Sequence, residues 1–291
     1  MEENMKKMAA ACGTVLALFW LSACGQNSPV ETKDAVAKNL TVAVAVSLKE
    51  AMTEASSAYK EEQPNVMITY TFGSSGTLQQ QIEQGAPVDL FISAASKQID
   101  ALESKGLVEV GARTNLLENQ VVAVAPVNAT TTIDDFRDLA SDQVKQIGVG
   151  APESVPAGEY AKQVLSFLGI WEQLQPKLVF AKDVRQVLTY VETGNVDVGI
   201  VYGTDAKLSD QVKVVALAPV GSHAPVIYPA AVIKGGKNAA AAKEFVEFLA
   251  QSDRATAIFA KYGFTKITPG PSSAVPLHIS QNLRIPAHAR P

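Results

Sequence analysis

Thr41-Val42-Ala43-Val44-Ala45-Val46-Ser47-Leu48-Lys49-Glu50 decides how the chain is read. The apolar run into Val46 has the character of a buried strand. From Leu48 the spacing changes: Leu48, Ala51, Met52, Ala55 and Tyr59 recur as the stripe of an amphipathic helix. Ser47 stands at the junction. With Glu50 three residues on, it matches a capping box, in which the two side chains satisfy orphan backbone N–H groups reciprocally. A strand that ends at a helix N-terminus also leaves N–H donors carrying partial positive charge, a ready site for an anion. Capping alone would explain Ser47. The ligand reading gains weight because the chain repeats the arrangement.

Reading outward, residues 66–72 alternate as a strand with Val66, Ile68, Tyr70 and Phe72 on one face. Gly73-Ser74-Ser75-Gly76 then turns into a helix over residues 77–84, stopped by Gly85. Residues 88–92 read as a strand and 96–105 as a helix. Further strands are expected over 119–125, 147–149, 177–180, 196–201, 212–216 and 226–233. Helices are expected over 132–139, from Pro156 at a first-turn position to Leu168, over 183–192 with Asp183 as cap, and over 238–250 and 253–262. Strands alternating with helices imply parallel α/β sheets, whose ligands bind beyond the carboxyl ends of the strands.

The N-terminus has the form of a targeting segment. Lys6 and Lys7 precede an apolar run over residues 8–20, too short to span a bilayer but suited to a signal peptide. It ends in Leu21-Ser22-Ala23-Cys24-Gly25, which resembles the lipobox of bacterial lipoproteins, with cleavage before Cys24 and acylation of its thiol. A conventional signal peptide that happens to contain Cys24 is the alternative. Cys12 is the other cysteine, so a chain cleaved before Cys24 has no internal disulfide. Residues 24–39 read as a polar tether, and residues 269–291, rich in Pro, Ser and His, as a disordered tail. The formal net charge of −4 argues against a nucleic-acid partner.

Several chemistries find no support. The three histidines are His223, His278 and His288, and no His or Cys pair has metal-ligand spacing. Gly73-Ser74-Ser75-Gly76 is not the Gly-x-Ser-x-Gly elbow of a hydrolase. Gly148 and Gly150 lack the third glycine of a dinucleotide loop, Glu153 standing in its place. What remains are four helix starts: Ser47-Leu48, Ser75-Gly76, Ala157-Gly158 and Val184-Arg185. Converging on one cleft, they would hold a compact anion through uncharged donors.

The chain resembles the molybdate-binding proteins of bacterial ABC transporters. The segments that carry the likeness run in the family's order through most of residues 40–268. They are Ala45-Val46-Ser47-Leu48, Phe72-Gly73-Ser74-Ser75-Gly76-Thr77-Leu78, residues 85–94, Val155-Pro156-Ala157-Gly158-Glu159-Tyr160-Ala161-Lys162, Asp183-Val184-Arg185, residues 199–206 and Lys261-Tyr262-Gly263-Phe264. The resemblance implies a two-lobe periplasmic-binding-protein-like α/β fold of type II. Each lobe would be a mostly parallel sheet flanked by helices, with the ligand in the cleft. Lobe one would comprise residues 40–117 and 229–268, and lobe two residues 118–228. The ligand positions of the family fall on Ser47, Ser75, Ala157, Val184 and Tyr202. The serines would donate from hydroxyl and main chain, Ala157 and Val184 from N–H, and Tyr202 from its phenol. Ser75 is preferred to Ser74 because it adjoins the helix start, and Arg185 is read as an ion-pair residue rather than a ligand.

The function so implied is capture of molybdate, with tungstate as a near-isosteric second ligand. Molybdenum would be bound as the oxyanion and not as a bare cation. The protein would be a lipid-anchored, extracytoplasmic monomer that delivers the anion to an ABC permease, with no cofactor and no catalysis of its own. The alternatives are the same architecture selecting sulfate or another tetrahedral oxyanion, and a secreted hydrolase using Ser75.

Overall fold

A computed structural model describes residues 38–267. The expected signal peptide, the acylated Cys24, the tether as far as residue 37 and the tail lie outside the described residues. The first β-strand begins inside the expected tether, at Lys38. The chain opens with β1 (Lys38–Ala45), a 3-10 turn at Val46–Leu48, α1 (Lys49–Glu62), β2 (Val66–Gly73), α2 (Ser75–Glu83), β3 (Leu90–Ile92), α3 (Ser96–Ser104) and β4 (Val108–Asn119). A second series follows: β5 (Val121–Pro126), β6 (Ile147–Gly150), α4 (Pro156–Phe167), α5 (Trp171–Leu174), β7 (Leu178–Ala181), α6 (Val184–Glu192), β8 (Val198–Tyr202), α7 (Gly203–Lys207) and β9 (Val212–Leu217). The chain then returns through β10 (Val226–Ile233), α8 (Ala239–Gln251), α9 (Asp253–Lys261) and β11 (Thr265–Lys266).

The strands form two sheets, ordered β11-β4-β10-β3-β1-β2 and β7-β6-β8-β5-β9. These are the two lobes of the expected α/β architecture, but the sheets are mixed rather than mostly parallel. β1 runs parallel to β2 and β3, and β6 parallel to β7 and β8. β10 is antiparallel to β3 and β4, and β5 antiparallel to β8 and β9. The reversal has a topological cause. β4 leads out of the first sheet in the same direction as β1, β2 and β3, and β10 leads back into it, so it is β10 that runs against the strands of its βαβ units.

Both faces of the first sheet are covered. α1 packs Ala51, Met52, Ala55 and Tyr59 into the larger core, where Tyr59 also meets Phe245 and Phe248 of α8. Leu78 and Ile82 of α2, with Ile99 and Leu102 of α3, bury Phe91 and Ala231 on the other face. Each large apolar side chain removed from water is worth roughly 1.5–3 kcal/mol, which makes these stripes the main source of stability. In the second lobe, α4 and α6 pack Val164, Leu165, Val187 and Val191 against Val149 and Ile200.

Two local expectations are corrected. Residues 132–139 do not form an α-helix. After Thr130-Thr131-Thr132, whose β-branched or cap-forming side chains disfavour helix, only a 3-10 turn forms, at Phe136–Ala140, capped by Asp135. The strand expected from residue 119 begins at Val121, because Asn119 ends β4, a strand whose mixed polar sequence had given no apolar signal. The chain crosses between the sheets at Gln120 and again between β9 and β10.

Candidate functional site

The carboxyl ends of β1, β2, β3 and β8 meet the starts of α2, α4 and α6 around one small cavity. Ala45, Val46, Ser47, Gly73, Ser74, Ser75 and Ala94 line it from the first lobe; Pro156, Val184 and Tyr202 line it from the second. Its volume for a water-sized sphere is about 10 Å³, near the minimum for one water molecule. Four of the five expected ligand residues therefore come together, drawn from sequence positions 47 to 202. Ala157 lies one residue past the wall formed by Pro156 and is buried.

Local sequence sets each donor. Ser75 is the first residue of α2, Val184 the first of α6 and Ala157 the second of α4. N–H groups at these positions precede the first i→i−4 hydrogen bond, so the helix does not use them. Asp183 caps α6 by accepting from the Gln186 N–H at 2.9 Å, and Pro156 opens α4 without an N–H to satisfy. The two candidate serines of the Gly-Ser-Ser-Gly turn separate by role. The Ser74 hydroxyl caps α2 and donates to Thr77 Oγ1 at 2.8 Å. The Ser75 hydroxyl accepts from the Ala94 N–H at 2.9 Å, which leaves its own hydrogen for the cavity.

Ser47 does not form the expected capping box. It lies inside the 3-10 turn and not at a non-helical cap position, and neither Ala45 nor Leu48 caps through a side chain. Its Oγ instead lies 3.0 Å from Tyr228 Oη, and Glu50 reaches across the cleft to Arg185. The Tyr202 phenol is fully buried and its Oη finds no hydrogen-bond partner among the described residues. Burial pushes its pKa well up, so it stays a donor. An unsatisfied buried hydroxyl costs roughly 1–3 kcal/mol, a cost a ligand oxygen would remove.

No Lys or Arg lines the cavity. Arg185, beside Val184, is spent on ion pairs. Its Nη2 lies 2.6 Å from Glu50 Oε2 in the first lobe and donates to the Ser47 carbonyl at 3.3 Å; its Nε lies 2.7 Å from Asp205 Oδ1. Burial pushes the Asp205 carboxyl up to about 6 against the pull of Arg185. A second bridge between lobes is the Gly76 N–H donating to the Ser154 carbonyl at 2.9 Å. Lys97 and Glu159 pair across the exposed rim at 3.0 Å, a contact worth little in water.

The contributions of Tyr228, Asn119, Ala94 and Asp205 escape sequence reasoning. Tyr228 sits in an apolar strand and looks like core, and Asp205 follows a strand end like any turn residue. A larger hollow of about 740 Å³ at the far end of the first sheet has a single buried carboxylate, Asp89. That group already accepts from the Thr41 and Asn238 N–H groups, so it leaves nothing for a ligand to satisfy.

Comparison with known proteins fits this geometry. The profile of the bacterial extracellular solute-binding proteins matches residues 40–265. The chain belongs to that family. Among its relatives, the molybdate-binding protein ModA of Escherichia coli is 45% identical over 230 residues, 78% of this chain and 88% of the relative. The putative ABC transporter substrate-binding lipoprotein YvgL of Bacillus subtilis is 41% identical over 261 residues, 89% of this chain and 98% of the relative. The solved substrate-binding domain of a putative molybdenum ABC transporter from Clostridium difficile superposes with a TM-score of 0.63 at 45% identity, covering 79% of this chain and 99% of that one. As a member of a solute-binding family, the chain is an extracytoplasmic binding protein and not an enzyme.

Proposed function

We propose that this protein captures molybdate, with tungstate as a second ligand, through Ser47, Ser75, Ala157, Val184 and Tyr202, and delivers it to an ABC permease. One observation carries the reading: Tyr202, whose buried phenol has no hydrogen-bond partner among the described residues, lines a cavity together with Ser47 and the first residues of α2 and α6, Ser75 and Val184, with no cationic side chain among its walls. Such a shell suits a fully deprotonated dianion. Each hydrogen bond to a charged partner is worth roughly 1.5–3 kcal/mol, and donors fixed in advance reorganise little. An oxyanion that carries a proton is penalised, because a shell of donors offers that proton no acceptor. Sulfate, being smaller, would not reach donors of both lobes together.

The same proposal takes residues 40–117 with 229–268 as one lobe and 118–228 as the other. It also takes the mature protein as a monomer held to the membrane through acylated Cys24. The relative named as a lipoprotein supports the anchor. Among the described residues no helix is long and apolar enough to cross a membrane. Calorimetric titration of the mature domain with molybdate, tungstate, sulfate and phosphate tests the ligand. Heat with molybdate and tungstate alone is expected; heat with sulfate and none with molybdate would reverse the assignment. Cys24→Ala should release the protein from the membrane without altering its affinity, and unchanged lipid labelling would remove the anchor.

A further inference from the structure

The ligand positions say which groups touch the anion. They do not say what makes an ambivalent hydroxyl act as a donor. Ser47 Oγ can donate or accept, and an accepting Ser47 would turn lone pairs toward an anion. The surroundings fix the choice.

The chain of constraint starts at Asn119, where the polypeptide leaves the first sheet. Its Oδ1 accepts from the Gln120 N–H at 2.9 Å, which sets the orientation of the amide. Its Nδ2, which can only donate, points at Thr204 Oγ1 at 2.8 Å and at Tyr228 Oη at 3.2 Å. Tyr228 Oη is thereby an acceptor from Asn119, so its own hydrogen must go elsewhere. Tyr228 is fully buried on β10, and Ser47 Oγ at 3.0 Å is the other polar atom within hydrogen-bond reach of its hydroxyl among the described residues. The Tyr228 hydroxyl therefore donates to Ser47. With that lone pair occupied, the Ser47 hydrogen is free for the cavity that Ser47 lines. Ser75, held by the Ala94 N–H, reaches the same polarity by a shorter route.

We propose that Tyr228, oriented by Asn119, is a specificity-determining positioning residue that locks the Ser47 hydroxyl as a donor toward the bound oxyanion. This rests on the assignment of Ser47 to the ligand shell. The relay also runs through both strands that join the lobes, since Asn119 ends β4 and Tyr228 lies at the start of β10, and it reaches Thr204 in the second lobe. Orientation of the donor is thus set where the lobes connect.

Tyr228→Phe keeps the ring and removes the relay. With the lock gone, Ser47 can turn and accept, so molybdate should bind about 3- to 10-fold more weakly, the worth of one neutral hydrogen bond. Protonated inorganic phosphate, for which no heat is expected with the wild type, should not lose and can gain from an accepting Ser47, so discrimination against it narrows. The decisive comparison is a cycle of Tyr228→Phe, Ser47→Ala and the double variant, each titrated with molybdate and phosphate and checked for folding by thermal unfolding. On the Ser47→Ala background, Tyr228→Phe should change molybdate affinity by less than about twofold, the usual limit of additivity. An equal loss on both backgrounds would make Tyr228 a structural residue only and overturn the relay. An intact affinity in Ser47→Ala alone would instead overturn the ligand assignment, and the relay with it. If Tyr228→Phe fails to fold, Asn119→Ala, at a half-buried position, is carried through the same cycle. A smaller loss that Ser47→Ala cancels supports the relay, and a loss that persists refutes it.

Discussion

Tyr202 and Arg185 sit at opposite poles of the electrostatics of the cleft. Tyr202 brings an unpaired hydroxyl to the cavity, whereas Arg185 brings a full charge already shared between Glu50 and Asp205. Tyr202→Phe should therefore weaken molybdate about 10- to 150-fold, one charge-assisted hydrogen bond, with little loss of stability. Ser75→Ala should act likewise. Arg185→Gln should do the reverse, changing affinity much less while costing stability. Breaking a buried pair by removing one partner costs roughly 3–5 kcal/mol, and uptake of a proton by Asp205 would soften it. Parallel titration calorimetry and thermal unfolding of the three variants distinguish the two kinds of residue. Asp205 adds a pH signature. Its carboxyl rises from 3.8 to about 6 on folding because burial outweighs Arg185. A raised carboxyl pKa means that the folded state binds more protons, so this contribution to stability is present below 3.8 and lost as pH rises through about 6. Asp205→Asn should flatten that slope in unfolding measured across the same window.

At the scale of elements, the approach of α2 to the second lobe depends on Gly76. A β-carbon there would sit 2.5 Å from the Ser154 carbonyl oxygen and 2.7 Å from its Cα, both backbone atoms that cannot swing aside. Gly76→Ala should hold the lobes apart. Its expected signature is a loss of molybdate affinity of tenfold or more, with a thermal midpoint for the free protein close to wild type. Wild-type affinity in this variant would show that the Gly76–Ser154 contact is dispensable for binding. Gly158 has a different role: it lets α4 lie directly on Gly150 of β6. Gly158→Ala should therefore damage the packing of the second lobe itself and lower the midpoint without ligand.

For the whole molecule, contacts from both lobes to one cavity imply that ligand and closure are linked. A ligand shifts a hinge only through contacts it makes better in one state, and those made by residues of both lobes exist together only when the lobes meet. Solution scattering should give a smaller radius of gyration with saturating molybdate than without, and an identical value would argue against closure. The same linkage predicts stabilisation by mass action of about 2.7 kcal/mol at a hundredfold excess over Kd. For a domain of this size that corresponds to a rise of about 5–10 °C in the midpoint. A shift with molybdate and tungstate but not with phosphate would match the donor-only shell.

Elements whose pattern is local were legible in the chain. The apolar run into Ser47 became β1, the helical stripe from Ala51 to Tyr59 became the buried face of α1, and Asp183 and Pro156 opened their helices as read. Resemblance to a family also named Ser47, Ser75, Ala157, Val184 and Tyr202 as ligand positions, and all of these but Ala157 line one cavity. Tertiary structure decided what no local pattern encodes. The reversed course of β10, antiparallel to both β3 and β4, follows from the chain leaving one sheet along β4 and returning to it. β4 itself carried no apolar periodicity to find. Ser47 and Glu50 satisfy a capping box on paper, yet residues 181 and 135 positions away claim their side chains. The reason is range. Periodicity and capping are settled within a few residues along the chain, whereas the direction of a hydroxyl's proton is settled by whichever groups the fold brings within 3 Å.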